Sequence, residues 1–145
     1  MQFQIVRNCQ FTNYRVNKFN PSISPLCSYC GLVVEKISHL YFDCSIVLAF
    51  WNEIRAWLVT LNINLPLNIS NVLFGYHKEK FDSKINYILL VAKRFIWTTK
   101  FNSKTLSFEA FKSILKHKLE ELKDSYDYLE KPEQFDRWKV IVDDF

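Results

Sequence analysis

The sequence has little glycine and little proline, 2 and 4 among 145 residues. That shortage excludes a loop-rich, disulfide-stapled scaffold and a disordered Pro/Gly tract. Long apolar runs are also missing. None, Tyr87 to Ala92 included, approaches the roughly 20 residues that cross a bilayer. No secretory pattern is found in residues 1–20, where Arg7, Arg15 and Lys18 alternate with Asn and Gln. The expectation is an intracellular chain with no membrane partner, whose four cysteines are thiols or metal ligands rather than two disulfides.

Apolar material is plentiful: 49% hydrophobic and 17% aromatic residues, enough for the core of a domain. Its spacing is mostly helical. Ile46, Phe50, Ile54, Trp57, Leu58 and Leu61 recur at three and four residues, with Ser45 as the expected N-cap. Residues 70–75 read as one short helical turn stopped by Gly75. A second long helix is expected from Lys84 to about Lys100, capped by Asp82 or Ser83 and apolar nearly all round, as befits a central element. A third carries the stripe Phe111, Leu115, Leu119, Leu122, Tyr126 and Leu129 and stops at Lys131-Pro132. A last helix holds Phe135, Trp138, Ile141, Val142 and Phe145. Residues 1–24 show no clean period and read as irregular; residues 32–37 suit a short extended piece. The expected architecture is a single, mostly α domain over 1–145. In it a zinc-binding segment, 20–45, precedes a bundle of about four or five helices, 46–145.

The chemistry concentrates in Cys27-x2-Cys30-x8-His39-x4-Cys44. A Cys-x-x-Cys turn presents two sulfurs to one ion, and Gly31 after it allows the backbone to bend around a sulfur. His39 and Cys44 complete four ligands. A thiolate-rich set of four favours zinc over hard cations and leaves no position for a substrate water, so the site reads as structural. Buried, metal-free thiols are the plainer alternative. Cys9 fits no ligand spacing and reads as a core thiol. His77 and His117 have no partner at catalytic spacing, and the acidic run Glu120 to Glu130 lies among lysines at helical pair spacings, a solvated face. No phosphate loop and no HExxH motif is present. The chain therefore reads as a non-catalytic module.

Net charge is +4, unevenly spread. Residues 45–106 hold eight Lys/Arg against three Asp/Glu, and residues 107–145 seven against ten. The basic middle suggests a phosphate-contacting face formed by Lys93, Arg94, Lys100 and Lys104, joined by Arg15 and Lys18 ahead of the zinc turn. Tyr29, Tyr41, Trp97 and Phe101 are at hand to stack on bases. The competing reading makes Lys93 and Arg94 the polar edge of a buried helix and the aromatics part of the core.

Several of these residues also carry a resemblance. Ser24-Pro25-Leu26-Cys27-Ser28-Tyr29-Cys30, Glu35, Ser38-His39-Leu40-Tyr41-Phe42-Asp43-Cys44, Phe50-Trp51 and Trp57-Leu58 resemble the zinc-binding domain at the C-terminus of reverse transcriptases from LINE-type non-LTR retrotransposons. A weaker likeness runs through Val72-Leu73-Phe74-Gly75 and the helix from Ile88 to Lys100, so that about Thr12 to Leu115 is covered. The resemblance implies a CCHC zinc site at Cys27, Cys30, His39 and Cys44, and upstream endonuclease and polymerase modules in the same polyprotein. It also implies help in engaging RNA or DNA. The polymerase itself does not carry over, because no paired-Asp metal motif is present: Asp143-Asp144 lies on an apparent helix at the end of the sequence. The alternative function is a zinc-stabilised helical protein-interaction domain, in which the 108–129 stripe would serve a partner helix.

Overall fold

Apolar spacing dictates where the long helices lie. The structure is a computed structural model that describes residues 1–77, 82–102 and 105–145. Its long helices are α3 (Ser45–Thr60), α5 (Asp82–Phe101) and α6 (Phe108–Tyr128). Short helices α1 (Gln2–Val6), α2 (Asn13–Phe19), α4 (Ile69–Phe74) and α7 (Lys139–Val142) accompany them. A π-helical turn (His39–Asp43) and a 3-10 segment (Pro132–Trp138) complete the set. Among the described residues the only β pairing is one antiparallel bridge, Leu26 to Val34. The mostly α expectation holds.

The three long helices meet at aromatic rings. Phe50 of α3 lies 5.6 Å from Phe95 of α5 and 5.5 Å, edge-on, from Phe111 of α6. The edge-on Phe50–Phe111 contact sets a positive ring edge against a ring face, which adds to the burial of large apolar surface. On α3 the buried stripe is Val47, Phe50, Trp51, Ile54, Trp57 and Leu58, whereas Ile46 is exposed. On α5, Ile88, Leu89, Val91, Ala92, Phe95 and Ile96 are all buried, as a central helix requires. On α6, Phe111, Leu115 and Leu119 face the core, and the stripe weakens toward exposed Leu129.

Helix ends show the capping logic. Ser107 and Asn68 cap α6 and α4, accepting from the backbone N–H of Ala110 and Asn71 at 3.3 and 2.8 Å. The cap of α3 is Cys44, with extended backbone, and Ser45 is its first helical residue rather than its cap.

The stretch from Met1 to Ser24 is not irregular, contrary to the sequence expectation: it contains α1 and α2. These two helices are too short to show a period and are held from outside. Ile5 enters the core, and Gln2 Nε2 donates to the Leu73 carbonyl of α4 at 2.7 Å. Thr12 occupies the N-cap of α2 without a side-chain bond. The N–H of Asn13 donates instead to Glu35 Oε1 at 2.8 Å, from 22 residues away. A remote carboxylate thus does the work of a local cap.

Candidate metal centre

Residues 26–34 form the first half of the site. Cys27 N–H donates to the Val33 carbonyl at 2.8 Å and Gly31 N–H to the Cys27 carbonyl at 2.9 Å, closing a tight turn. Gly31 takes φ +66° there, the left-handed region that favours glycine. Backbone N–H groups converge on the sulfurs; Tyr29 N lies 3.4 Å from Cys27 Sγ. Burial pushes the Cys27 thiol up to about 12, against the N–H groups of Cys30 and Tyr29 that oppose the rise. At Cys30 burial also acts upward, but the Leu32 N–H, the His39 ring and the Val33 N–H outweigh it and bring the thiol down to about 6.

The second half rests on the π-helical turn. In an α-helix, residues five apart diverge by roughly 140° around the axis. Here Cys44 N–H bonds the His39 carbonyl at 3.0 Å, an i to i+5 closure that brings position 44 back over position 39. The x4 spacing and the π turn are therefore one fact seen twice. Cys44 then leaves the turn and begins α3, its carbonyl accepting from Leu48 N–H at 2.7 Å. Its sulfur thus belongs to the N-terminal end of a 16-residue helix.

The two halves meet. One donor atom from each of Cys27, Cys30, His39 and Cys44 lies within 4.8 Å of every other. Cys27 and Cys44 Sγ are 3.8 Å apart, and Cys30 Sγ is 3.4 Å from His39 Nε2. A tetrahedral zinc with usual bond lengths needs sulfur–sulfur edges of about 3.8 Å and sulfur–nitrogen edges of about 3.6 Å. The donor set fits that ion in chemistry, and the Cys27–Cys44 and Cys30–His39 edges match it in size. Cys27, His39 and Cys44 are buried and Cys30 is half-buried. Cys9 is a half-buried free thiol apart from this cluster.

Residues 1–51 match the family described as zinc-binding in reverse transcriptase. The match contains all four members of the cluster and reaches Trp51, whose indole Nε1 donates to the Tyr41 carbonyl at 2.7 Å and joins α3 to the π turn. The segment similar to this zinc-binding family thus begins before Thr12 and stops well before Leu115, the limits given by the resemblance alone. No curated protein and no solved structure shows a significant match to the chain.

Glu35 ties this segment to the helices. Its carboxylate is fully buried and accepts from Asn13 N at 2.8 Å, Ser28 N at 2.8 Å and Ser28 Oγ at 2.9 Å. Its fourth partner is the Lys100 ammonium of α5. Tyr29, inside the Cys-x-x-Cys turn, donates its hydroxyl to the Ile96 carbonyl of the same helix. A buried carboxylate with every lone pair engaged is the arrangement that makes burial tolerable.

This revises the expected basic face. The Lys100 side chain is 4% exposed and paired with Glu35, so it is not open to a phosphate. Lys93 is also buried, bonds the Gln2 side chain, and is lowered by burial to about 8. Both sit in an apolar helix whose neighbours supply internal partners, so Lys93 is neither a phosphate contact nor part of a solvated polar edge. Arg94 is exposed, and Lys104 lies outside the described residues. Arg15 is half-buried and donates to the Asn8 carbonyl at 2.9 Å. Lys18 is exposed, its ammonium 4.5 Å from the centre of the Tyr14 ring. Among the aromatics, Tyr41 is fully buried with its hydroxyl on Gln10, while Phe101 is exposed. The sequence reading missed Lys36 and Tyr14, which join Arg15 and Lys18 around one groove. The signal was there: Glu35 is the only acidic residue ahead of His39.

Proposed function

We propose that the chain is a non-catalytic, zinc-clamped module of a retrotransposon reverse transcriptase that helps hold nucleic acid. The observation that carries this reading is the cluster of Cys27, Cys30, His39 and Cys44 at tetrahedral-edge distances, inside a segment similar to a reverse-transcriptase zinc-binding family. Four protein ligands fill the coordination sphere, so the ion's work is structural. It joins a turn with little regular structure to the start of α3, and such sites supply apparent stabilisation of about 10 kcal/mol to the segments they order. The LINE-type origin and the position after polymerase modules, implied by the resemblance, and the intracellular setting belong to this proposal. So does the assignment of 1–145 to one domain. Among the described residues no helix is long and apolar enough to cross a membrane.

The test has two parts. Purified protein should carry one zinc per chain by elemental analysis, and Cys44→Ser should lower that stoichiometry. Chelation should expose residues 20–45 to protease before the helices. Separately, filter binding of single-stranded RNA and DNA at several salt concentrations should give affinity that falls with salt. A metal-free protein with unchanged protease resistance refutes the zinc reading; absence of any nucleic-acid binding refutes the second half and favours a protein-interaction module.

A further inference from the structure

The segment from Met1 to Ser38 contains four cations, Arg7, Arg15, Lys18 and Lys36, and one acid, Glu35. The fold takes Glu35 out of play by pairing it internally with Lys100, a cation of the middle segment. The exchange moves the basic surface. The middle segment spends Lys93 and Lys100 inside the protein, and the N-terminal segment keeps its cations with no exposed acid between Met1 and Ser38.

Three of the four cations border one groove of about 750 Å³, between α1, α2, residues 36–38 and α4. That volume is within the about 300–1,000 Å³ typical of ligand clefts. No Asp or Glu lines it. Tyr14 stands at its centre of charge: the Lys18 and Lys36 ammonium groups lie 4.5 and 5.4 Å from its ring centre. Hydrogen bonding to Lys18, with its positive charge, lowers the Tyr14 phenol from its ordinary value. Two further lining rings are open to solvent, Phe19 at 73% and Phe74 at 52% exposure. Gln10 Nε2 and Arg15 Nε, behind the same lining, are buried with no acceptor. Converging cations and exposed rings are the complement of a flexible polyanion with flat bases.

We infer that this groove, lined by Tyr14, Arg15, Lys18, Phe19, Lys36 and Phe74, is where the module holds single-stranded nucleic acid, and that α5 is not. The inference deepens the nucleic-acid reading above and rests on it. Phosphates would engage Arg15, Lys18 and Lys36, and bases would stack on Phe19 and Phe74. A duplex is a poorer fit, because its bases are already stacked on one another and unavailable to the rings.

The test uses the zinc-loaded chain, a fluorescent 15-mer of single-stranded RNA or DNA, and a duplex of the same length. Three neutralised phosphates predict a slope of about −2 in log K against log salt. The double variant Lys18→Gln, Lys36→Gln removes two exposed charges and should bring the slope to about −0.7, with at least a tenfold loss of affinity at low salt. Phe19→Ala should weaken binding with the slope unchanged. Arg94→Gln with Lys116→Gln, two exposed cations outside the groove, should change affinity less than twofold. Zinc content and circular dichroism confirm that each variant folds. If the wild type binds and the groove variant binds equally well, the groove is wrong and the broader reading stands. Preference for the duplex overturns the single-strand assignment. Failure of the wild type to bind any of the three probes overturns both.

Discussion

Replacing Lys100 by Met probes the junction between the zinc segment and α5. The ammonium is within contact of Glu35 Oε1, with the two side chains 4% and 0% exposed. Removing one member of such a buried pair costs about 3–5 kcal/mol, because the other charge stays desolvated and uncompensated. Here the carboxylate keeps three donors, Asn13 N, Ser28 N and Ser28 Oγ, which puts the cost at the lower end, about 3 kcal/mol. Met keeps the packing of the stem but loses the cation that lies 5.2 and 5.4 Å from the Trp97 and Phe101 ring centres, a further cost of about 0.5–1 kcal/mol. For a chain of this size the sum corresponds to a melting point lower by about 10 °C. Urea unfolding of zinc-loaded protein measures it, and limited proteolysis should show cleavage in residues 1–38 ahead of α3, α5 and α6. Glu35→Gln should be no milder, since its amide would turn an NH2 toward either the Asn13 or the Ser28 N–H. A Lys100→Met protein that unfolds at the same urea concentration as wild type, with reduced affinity for nucleic acid instead, would refute the internal ion pair and return Lys100 to the surface.

Lys93→Met should stabilise the protein at pH 7. Burial lowers Lys93 to about 8 in the folded chain, so above that pH the folded state binds fewer protons than the unfolded one, and wild-type stability rises between about pH 8 and 10.5. The variant lacks this rise, and its advantage, about 3 kcal/mol from the shift less about 1 kcal/mol for the lost bond to Gln2, should shrink toward pH 10; an advantage independent of pH would contradict the buried ammonium. At Gly31, φ is +66° and no atom lies within 4 Å of an added Cβ. Gly31→Ala should therefore cost about 1–2 kcal/mol through backbone strain alone, with zinc stoichiometry retained. A larger loss together with the metal would point to a steric cause.

What could be read in the sequence divides along physical lines. The clustering of Cys27, Cys30, His39 and Cys44 was legible because a metal-ligand pattern constrains residue type and spacing together. Helices α3, α5 and α6 were legible because 16 to 21 residues give a period room to show. Helices α1 and α2, with 5 and 7 residues, have no such room; their order comes from Gln2 on Leu73 and Asn13 on Glu35, contacts that no local window contains. Lys93 and Lys100 were misplaced for a related reason. A lysine in an apolar helix is ordinarily solvated, and only the tertiary structure reveals that Gln2 and Glu35 wait beside them. Counting charge by segment placed the basic surface in the middle of the chain, because a count cannot see which charges cancel inside.

The π turn also sets a register. With five residues from His39 to Cys44, the chain brings both side chains into the candidate metal centre and enters α3 at one rotational setting, the one that aims the Trp51 indole at the Tyr41 carbonyl. Deleting one residue between the two ligands would let an ordinary α-turn present the same donors, but it would swing α3 about its axis by roughly 100°. Phe50 would leave the junction it shares with Phe95 and Phe111, so the count of residues between two metal ligands is also the angular key that fits the long helices together.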